Sequence, residues 1–484
     1  MSENITREQF IKTLALGTAA AVLPSFGSFA INDTEKPNVL FVVCDDLNDW
    51  IGALGGNNDT LTPNIDKLAQ RCVVFEKAYC TAPICNPSRA SLMTGLRPST
   101  TGVYGNRQPF RLSAKGKNAF TLTQHLRKNG YFAAGAGKIY HGKFPDPDSW
   151  DKFYPALDDQ TTPDPKPSKE NSVEVAGLKY APLQVNDSEM GDFKTVEYCI
   201  KQLNKKHDKP FFLACGIRKP HLDWDVPQKY FDKFDSGKLI MPKMREDDLD
   251  DVPKEGKKIA KTKTYYDIKG EGKEREFVKA YLAAVSFADA MVGKMIDALD
   301  KSDYADNTII VFLGDHGWHL TEKLHWKKST LWEEATRAPL MISVPGLTPK
   351  GARCKRTISF LDIYPTIVEL CGVQRKIDNE GHSFVSLLKN PSSSWRYPAV
   401  TTYLHGNHSV KTEDWRYIRY HDGTEELYDH RNDEMEWKNL ADDQKYISVK
   451  EELKKWLPEY DAADSEIIVW PGDKIRDDDE IESE

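Results

Sequence analysis

The chain has 484 residues, of which 39% are hydrophobic and 11% aromatic. That is enough for one large α/β domain with a smaller appendage, and it excludes wholesale disorder. A net charge of −8 with no long basic run argues against nucleic acid as the partner and leaves only local basic pockets.

The first segment, TREQFIKTLALGTAAAVLPSFGSFA, opens polar with Arg7 and Lys12, turns apolar, and ends in small residues. This is a secretory signal pattern over residues 1–30, with cleavage expected near Ala30 and a periplasmic or secreted product. Thr6–Lys12 is like a twin-arginine signal without the second arginine, so the export route stays open. No later run is long and apolar enough to span a membrane. The eight cysteines show no CxxC or zinc-type spacing, and their positions select no disulfide pairs.

Asn38–Cys44 is a continuous apolar run, as expected of a buried parallel strand, and it ends in Asp45-Asp46. Thr62 and Pro63 predict a helix start, with Thr62 as cap. Cys85-Asn86-Pro87-Ser88-Arg89 leads into a short helix that Gly95 should end. Helical patterns recur at Thr121–Lys128 and Glu274–Leu299. Strand-like runs recur at Tyr131–Ala134, Pro210–Cys215, Thr308–Leu313 and Leu340–Val344. This alternation predicts an α/β fold with a large, mostly parallel sheet flanked by helices. Asp146–Pro182 and Arg245–Lys263 read as long surface insertions. Short β-like pieces from about Ala399, including Trp415–Tyr420 and Glu426–Asp429, predict a small C-terminal subdomain with an antiparallel sheet. The organisation is then a catalytic domain over 36–395 and a subdomain with an acidic tail over 396–484.

Four clusters carry chemistry. Asp45-Asp46 and Asp315-His316 each follow an apolar strand, and ligands in open α/β sheets bind at that edge. Three carboxylates and one imidazole form a divalent-cation set that favours Ca²⁺ or Mg²⁺ over zinc. Cys85 stands at a helix start where a negative group is favoured, with Arg89 four residues on. Basic groups at Lys138 and His141, at Arg218 to His221, and at Trp326-Lys327-Lys328 suit a tetrahedral anion such as phosphate or sulfate.

Cys85–Arg89 matches the C-x-P-S-R motif of the formylglycine-dependent sulfatases, and the sequence resembles that family. VVCDDL, GKIYH, KPH, FLGDHGW, HWKKSTLWEEATRAPL, FLDIYPTIVELCG and ELYDHRNDEMEWKNL follow in family order from Asn38 to about Asp443. GKIYH and Phe211–His221 are most similar to the iduronate-2-sulfatase branch. The resemblance implies an alkaline phosphatase-like fold and a Cys85 oxidised to formylglycine by a maturing enzyme. It implies a Ca²⁺ held by Asp45, Asp46, Asp315, His316 and the modified Cys85. Arg89 and Lys138 would hold the nucleophile, and His141 would help expel sulfate. His221 and Lys328 would bind sulfate and protonate the leaving oxygen, with His325 the next candidate. Lys328 is preferred to Lys327 because the family spacing is W-x-K. Trp318, Asn106, Arg107 and His405 are expected around the sugar, Trp318 by stacking. Lys323 or His325 would alter the pocket, because this stretch departs from the iduronate pattern. The implied activity is an end-acting sulfatase on oligosaccharides from sulfated polysaccharide. The alternatives are a phosphonate or phosphate ester hydrolase and a non-catalytic glycan-binding relative.

Overall fold

Runs of Val, Leu, Ile and Phe form the centre of the molecule, because strands covered on both faces must be apolar throughout. A computed structural model describes residues 36–142, 144–155 and 162–468. The expected signal peptide (1–30) and acidic tail (477–484) lie outside these residues. In chain order the strands are β1 (Asn38–Cys44), β2 (Val73–Tyr79), β3 (Phe132–Gly137), β4 (Lys152–Tyr154), β5 (Val173–Val175), β6 (Leu178–Leu183), β7 (Phe211–Ile217) and β8 (Trp224–Pro227). They continue with β9 (Thr308–Gly314), β10 (His319–Leu320), β11 (Trp326–Lys327), β12 (Leu340–Ser343), β13 (Ala352–Ser359), β14 (Ala399–Thr402), β15 (His408–Lys411), β16 (Trp415–Arg419) and β17 (Glu425–Asp429). Eight of them form the main sheet in the order β13-β2-β12-β9-β1-β7-β3-β4. Only β12 runs antiparallel to its neighbours. The sheet is therefore mixed and mostly parallel, as the alternation predicts.

The four middle strands β9, β1, β7 and β3 end together. Cys44 pairs with both Gly314 and Ile217, and Gly137 pairs with Gly216. Every residue that follows these strands therefore emerges at one carboxyl edge. Each fully buried Val, Leu or Phe contributes roughly 1.5–3 kcal/mol, so a slip of this register is strongly disfavoured.

The Glu274–Asp300 helix packs against β8 and the Gly191–Leu203 and Pro63–Ala69 helices. It also corrects an expectation. Thr62 makes no side-chain cap. Asp289 of the long helix instead accepts from the Asn64 and Ile65 amides at 3.0 and 2.8 Å. A charged acceptor from a neighbouring helix satisfies those amides, and the Thr62 hydroxyl is left to accept from Gly52 N–H at 2.9 Å. Gly95 ends the Cys85–Thr94 helix at φ 71°, as predicted.

The described parts of the two expected insertions carry regular elements. Asp146–Pro182 supplies the edge strand β4 and most of the small β5-β6-β8 sheet, and Arg245–Lys263 contains the Lys254–Ala260 helix. Their polar composition hid short elements that lie at a sheet edge or on the surface.

The β14-β15-β16-β17 sheet is antiparallel, as expected. One face, with Val400, Val410, Tyr417 and Leu427, has its own small core. Ile418, Tyr420 and Tyr428 join the main core. The described residues from Pro37 to Ile468 form one compact unit, so those after 395 share packing with what precedes them. Arg416 fastens the two parts. It is 0% exposed and donates to Glu436, to Glu333 at 2.5 Å, to Leu331 O at 2.9 Å and to Ser409 Oγ at 2.8 Å.

Arg416→Ala is expected to cost roughly 3–5 kcal/mol of stability, because buried Glu436 and half-buried Glu333 would lose their guanidinium. Urea denaturation of the two proteins measures this.

Candidate active site

Asp45 and Asp46 continue β1, and Asp315 and His316 continue β9. Asp315 N–H donates to Cys44 O at 3.2 Å and Asp46 N–H to Asp315 Oδ1 at 3.0 Å, which locks the two turns together. Asp46 takes φ 60°, unusual for a residue with a side chain. Tyr281 of the long helix holds this turn, its hydroxyl donating to Asp46 O at 2.9 Å and accepting from Asn48 N–H at 3.0 Å. Lys138 continues β3, and its N–H donates to Gly216 O at 3.0 Å. A Cβ on Gly137 would lie 2.1 Å from that carbonyl, so two glycines let the strands close enough to aim Lys138 inward.

Cys85 opens the Cys85–Thr94 helix and is fully buried. Its Sγ lies 2.9 Å from Lys328 Nζ, 3.7 Å from Lys138 Nζ and 3.4 Å from His316 Nε2. Arg89 is fully buried one turn along. Its Nε donates to Asp315 Oδ2 at 2.8 Å and its Nη2 to Asp45 Oδ1 at 3.1 Å, while Nη1 meets the carbonyls of Lys138 and Ile139. It is expected to hold the nucleophile, yet its donors bind carboxylates and backbone instead, so Arg89 positions the metal-type set and the Lys138 loop. Lys138 donates to Asp45 Oδ2 at 2.5 Å and Lys328 to Asp46 Oδ1 at 2.7 Å. His221, on the turn after β7, brings Nε2 within 3.8 Å of Asp46 Oδ2. His141 follows Lys138 on its loop and is half-buried.

The electrostatics are set by burial and these pairings. Burial alone would raise the Asp45 carboxyl, but Lys138, His221, Arg89 and Lys328 outweigh it and hold it well below the usual range. Asp46 is pushed up to about 7 by burial, with Asp45 and Cys85 adding to the rise against Lys328. Burial also lowers His316, but Asp315 and Cys85 raise it to about 9. His221 falls well below the ordinary histidine value through burial and then Lys138. The Cys85 thiol is lowered: Lys138, Lys328 and His316 together exceed burial and Asp45.

The donor set fits a hard divalent cation. Ligand atoms of Asp45, Cys85, Asp315 and His316 lie within 4.8 Å of one another, as do those of Asp46, Cys85 and His221. Asp46 Oδ2 is buried and has no hydrogen-bond partner among the described residues. His316 Nδ1 faces Gly317 O at 3.0 Å, which fixes the proton there and turns Nε2 inward, the usual arrangement of a ligating histidine.

Other expected residues land elsewhere. Trp318 is only 1% exposed and its ring lies under Lys328 Nζ at 5.6 Å, so it presents no face for a sugar to stack on. Asn106 Oδ1 accepts from Asn86 N–H at 3.0 Å and so braces the nucleophile helix. The Arg107 carbonyl accepts from Ile468 N–H at 2.9 Å. His405 is exposed and meets Tyr104 edge-on at 5.6 Å. Lys323 is not a pocket residue: it is buried, donating to Asp248 Oδ1 at 2.7 Å and to Glu436 O. His325 does not face Cys85, because its ring nitrogens meet Ala260 O and Lys328 O.

Sequence reasoning misses three supports. Thr321, Lys323, Leu324, Lys327 and Ser329 all have positive φ, a concentration of strain that only surrounding packing can hold. This segment delivers Lys328. The C-terminal stretch around Ala462–Ser465 binds the loop after the nucleophile helix: Ala462 O accepts from Tyr104 OH at 2.8 Å and Ser465 O from Gln108 Nε2 at 3.0 Å. Tyr281 is the third. None carries a motif; the family-type W-x-K spacing is the only signal, and it marks Lys328 alone.

Comparison with known proteins places the chain in a family. The family described as Sulfatase matches residues 37–373, and the one described as N-sulphoglucosamine sulphohydrolase, C-terminal, matches 314–463. A Formosa agariphila protein named sulfatase is 39% identical over 89% of this chain and 88% of its own length. The iduronate 2-sulfatase of Mus musculus is 30% identical over 69% of this chain and 64% of its own. A solved structure, described as a complex with its substrate D-glucosamine-2-N,6-O-disulfate, shares the fold at a TM-score of 0.69 and 21% identity, covering 87% of this chain and 96% of that one.

Arg89→Lys keeps the charge but cannot span two carboxylates and two carbonyls. Calorimetric titration is expected to show divalent-cation affinity reduced about 10- to 100-fold, the usual effect of losing a group that orients metal ligands.

Proposed function

Starting from the chain's membership of the sulfatase family, we propose that it is an exported, Ca²⁺-dependent enzyme that removes sulfate from sugars, acting from the end of oligosaccharides derived from sulfated polysaccharide. The observation that carries this reading is Cys85 Sγ, buried at a helix start between Lys328, Lys138 and His316. The sulfur stands where the oxygens of a formylglycine hydrate would begin. Export to the periplasm or beyond rests on the N-terminal sequence pattern.

Asp45, Asp46, Asp315 and His316 would hold the cation, and oxygen-rich ligation favours Ca²⁺. Bound there, it supplies Lewis-acid polarisation and a lowered hydroxyl pKa. Oxidation of Cys85 to an aldehyde by a maturing enzyme, followed by addition of water, would supply a nucleophilic hydroxyl and a second one that lets the sulfated side chain collapse back to the aldehyde.

The remaining work falls to the chain's own residues. Lys138 and Lys328 bring two ammonium groups to the nucleophile position and can hold sulfate oxygens as negative charge builds. His221 Nδ1 faces Leu222 O at 2.5 Å. A carbonyl can only accept, so Nδ1 carries the proton and Nε2 is the exchanging atom. Burial and Lys138 keep His221 neutral at pH 7. An anionic ester arriving beside it offsets those cations and raises its proton affinity, which readies Nε2 to protonate the leaving sugar oxygen. His141, on the Lys138 loop, is the group for the later release of sulfate.

Peptide mass spectrometry of the matured protein should find Cys85 as the aldehyde, and Cys85→Ala should lose on the order of a thousandfold or more in turnover with the fold intact. Chelation should inactivate the enzyme, with Ca²⁺ restoring it better than Zn²⁺. Near-wild-type activity of Cys85→Ala, or a preference for phosphate or phosphonate esters over sulfate esters, would overturn the reading.

His221→Ala should slow desulfation of a sugar far more than hydrolysis of an activated aryl sulfate, because a phenolate leaves without a proton. General acid catalysis is worth about a hundred- to ten-thousandfold. Rates of both proteins on both substrates measure the difference, and equal losses would reassign His221 to sulfate binding.

A further inference from the structure

His221 approaches Asp46 from the loop Arg218 to Trp224 that follows β7. A loop holds one side chain in one place only when its backbone groups are tied down. Two amides at its start are held by Asp192. Arg218 N–H donates to Asp192 Oδ1 at 2.8 Å and Lys219 N–H to Asp192 Oδ2 at 2.9 Å. Asp192 is buried in the first turn of the Gly191–Leu203 helix. Three carbonyls further along are held by the loop's own side chains. Trp224 Nε1 donates to Pro220 O at 2.7 Å, Arg218 Nη2 to Leu222 O at 3.3 Å and Lys219 Nζ to Asp223 O at 2.5 Å. His221 N–H donates to Arg218 O at 2.9 Å. Leu222 O is also the carbonyl that His221 Nδ1 faces, so Nε2 is the ring atom left for chemistry.

Lys219 is the unexpected member. Its place in the sequence groups it with the cations that suit an anion, yet the ammonium groups at Cys85 are those of Lys138 and Lys328. Lys219 is 1% exposed, and beside Asp223 O its ammonium meets Asp164 Oδ2 at 3.4 Å. Asp164 Oδ1 in turn accepts Gly191 N–H, the first amide of the same helix, at 2.8 Å. The contacts close a ring. Asp164 joins the lysine to the helix, Asp192 joins the helix to the start of the loop, and Lys219 Nζ joins both to its far end. An ammonium is costly to bury and is tolerated where it is paired and hydrogen-bonded. A methionine would fill the same space without that cost, so the charge points to a role beyond packing.

We infer that Lys219 is a positioning residue: clamped between Asp164 and the Asp223 carbonyl, it holds the loop so that His221 keeps Nδ1 on Leu222 O and Nε2 aimed at the leaving oxygen. The inference rests on the reading of His221 as the leaving-group acid and adds the residue that keeps that acid in place.

The test is a cycle of four full-length enzymes matured in one host: wild type, Lys219→Met, His221→Ala and the double variant. A misplacement of about 1 Å can cost on the order of a hundredfold. Lys219→Met should therefore slow desulfation of a sugar sulfate roughly ten- to a hundredfold, through kcat more than KM, and leave hydrolysis of an activated aryl sulfate within about threefold. In the His221→Ala background the same substitution should change the sugar rate by less than about twofold, because residues that act through one another are not additive. Losses that multiply in the double variant would overturn the inference. So would no loss in Lys219→Met, or a loss on both substrates where His221→Ala shows it on the sugar alone. A second measurement needs no turnover. In protein carrying 15N-labelled histidine, the His221 signal, identified by its absence in His221→Ala, should report a proton on Nδ1 in the wild type and move in Lys219→Met; an unmoved signal also sinks the inference. If circular dichroism shows that Lys219→Met does not fold, Asp164→Asn takes its place with the same expected pattern, since it keeps an acceptor for Gly191 N–H and removes the charge beside Lys219. Equal losses on the two substrates in His221→Ala would count against the acid reading instead, and the coupling of Lys219 to His221, read from the four rates on one substrate, would still decide the clamp.

Discussion

The buried guanidinium of Arg89 is the interaction on which the active site depends. It holds Asp45 and Asp315, from two different strand ends, and it takes the carbonyls of Lys138 and Ile139 from a third. Three carboxylates and three cations lie almost completely inside the protein here: Asp45, Asp46 and Asp315 against Arg89, Lys138 and Lys328. Any one of them alone would cost several kcal/mol in such surroundings. Their mutual pairing makes the cluster tolerable, and only the planar, five-donor fork of arginine can serve four acceptors at once. Asp46, which Arg89 does not reach, is the carboxylate pushed up to about 7. Asp45, by contrast, is held low against burial by Lys138 and His221 ahead of Arg89.

The rigid frame around this cluster comes from the sheet. Parallel pairing of β9, β1, β7 and β3 brings four chain segments to one edge in fixed register, so acids and bases far apart in sequence meet within a few ångströms. The opposite wall is built differently. Thr321–Ser329 makes only the two-residue strands β10 and β11 close by and relies on left-handed residues held by burial. Lys323 and His325 serve as its anchors, tying it to Asp248 and to Ala260. The residues expected to tune the pocket are the ones that hold its wall in place.

The C-terminal sheet contributes through the same wall. Arg416 ties it to Glu333, and the stretch around Ala462–Ser465 braces the loop after the nucleophile helix. A segment that looks like an appendage in composition is part of the scaffold that aims Cys85 and Lys328.

The amino-acid sequence by itself determined the α/β class, the middle strands, the metal-type acids, the nucleophile loop and the choice of Lys328 over Lys327. These are short-range patterns: an apolar run ending in Asp-Asp, an Asp-His between glycines, a Cys-x-Pro-Ser-Arg at a helix start. Only the tertiary structure decided what the side chains do for one another. It turned Arg89 from a ligand of the nucleophile into the brace of the metal-type set, and put Trp318 beneath Lys328 instead of against a sugar. It gave the cap at Pro63 to Asp289 and committed Asn106 to the backbone. Each of these depends on a partner some ten to more than two hundred positions away. Hydrogen-bonding capacity is written in a residue's type, but which distant group satisfies it is fixed by packing, where every buried donor and acceptor must find a partner at once.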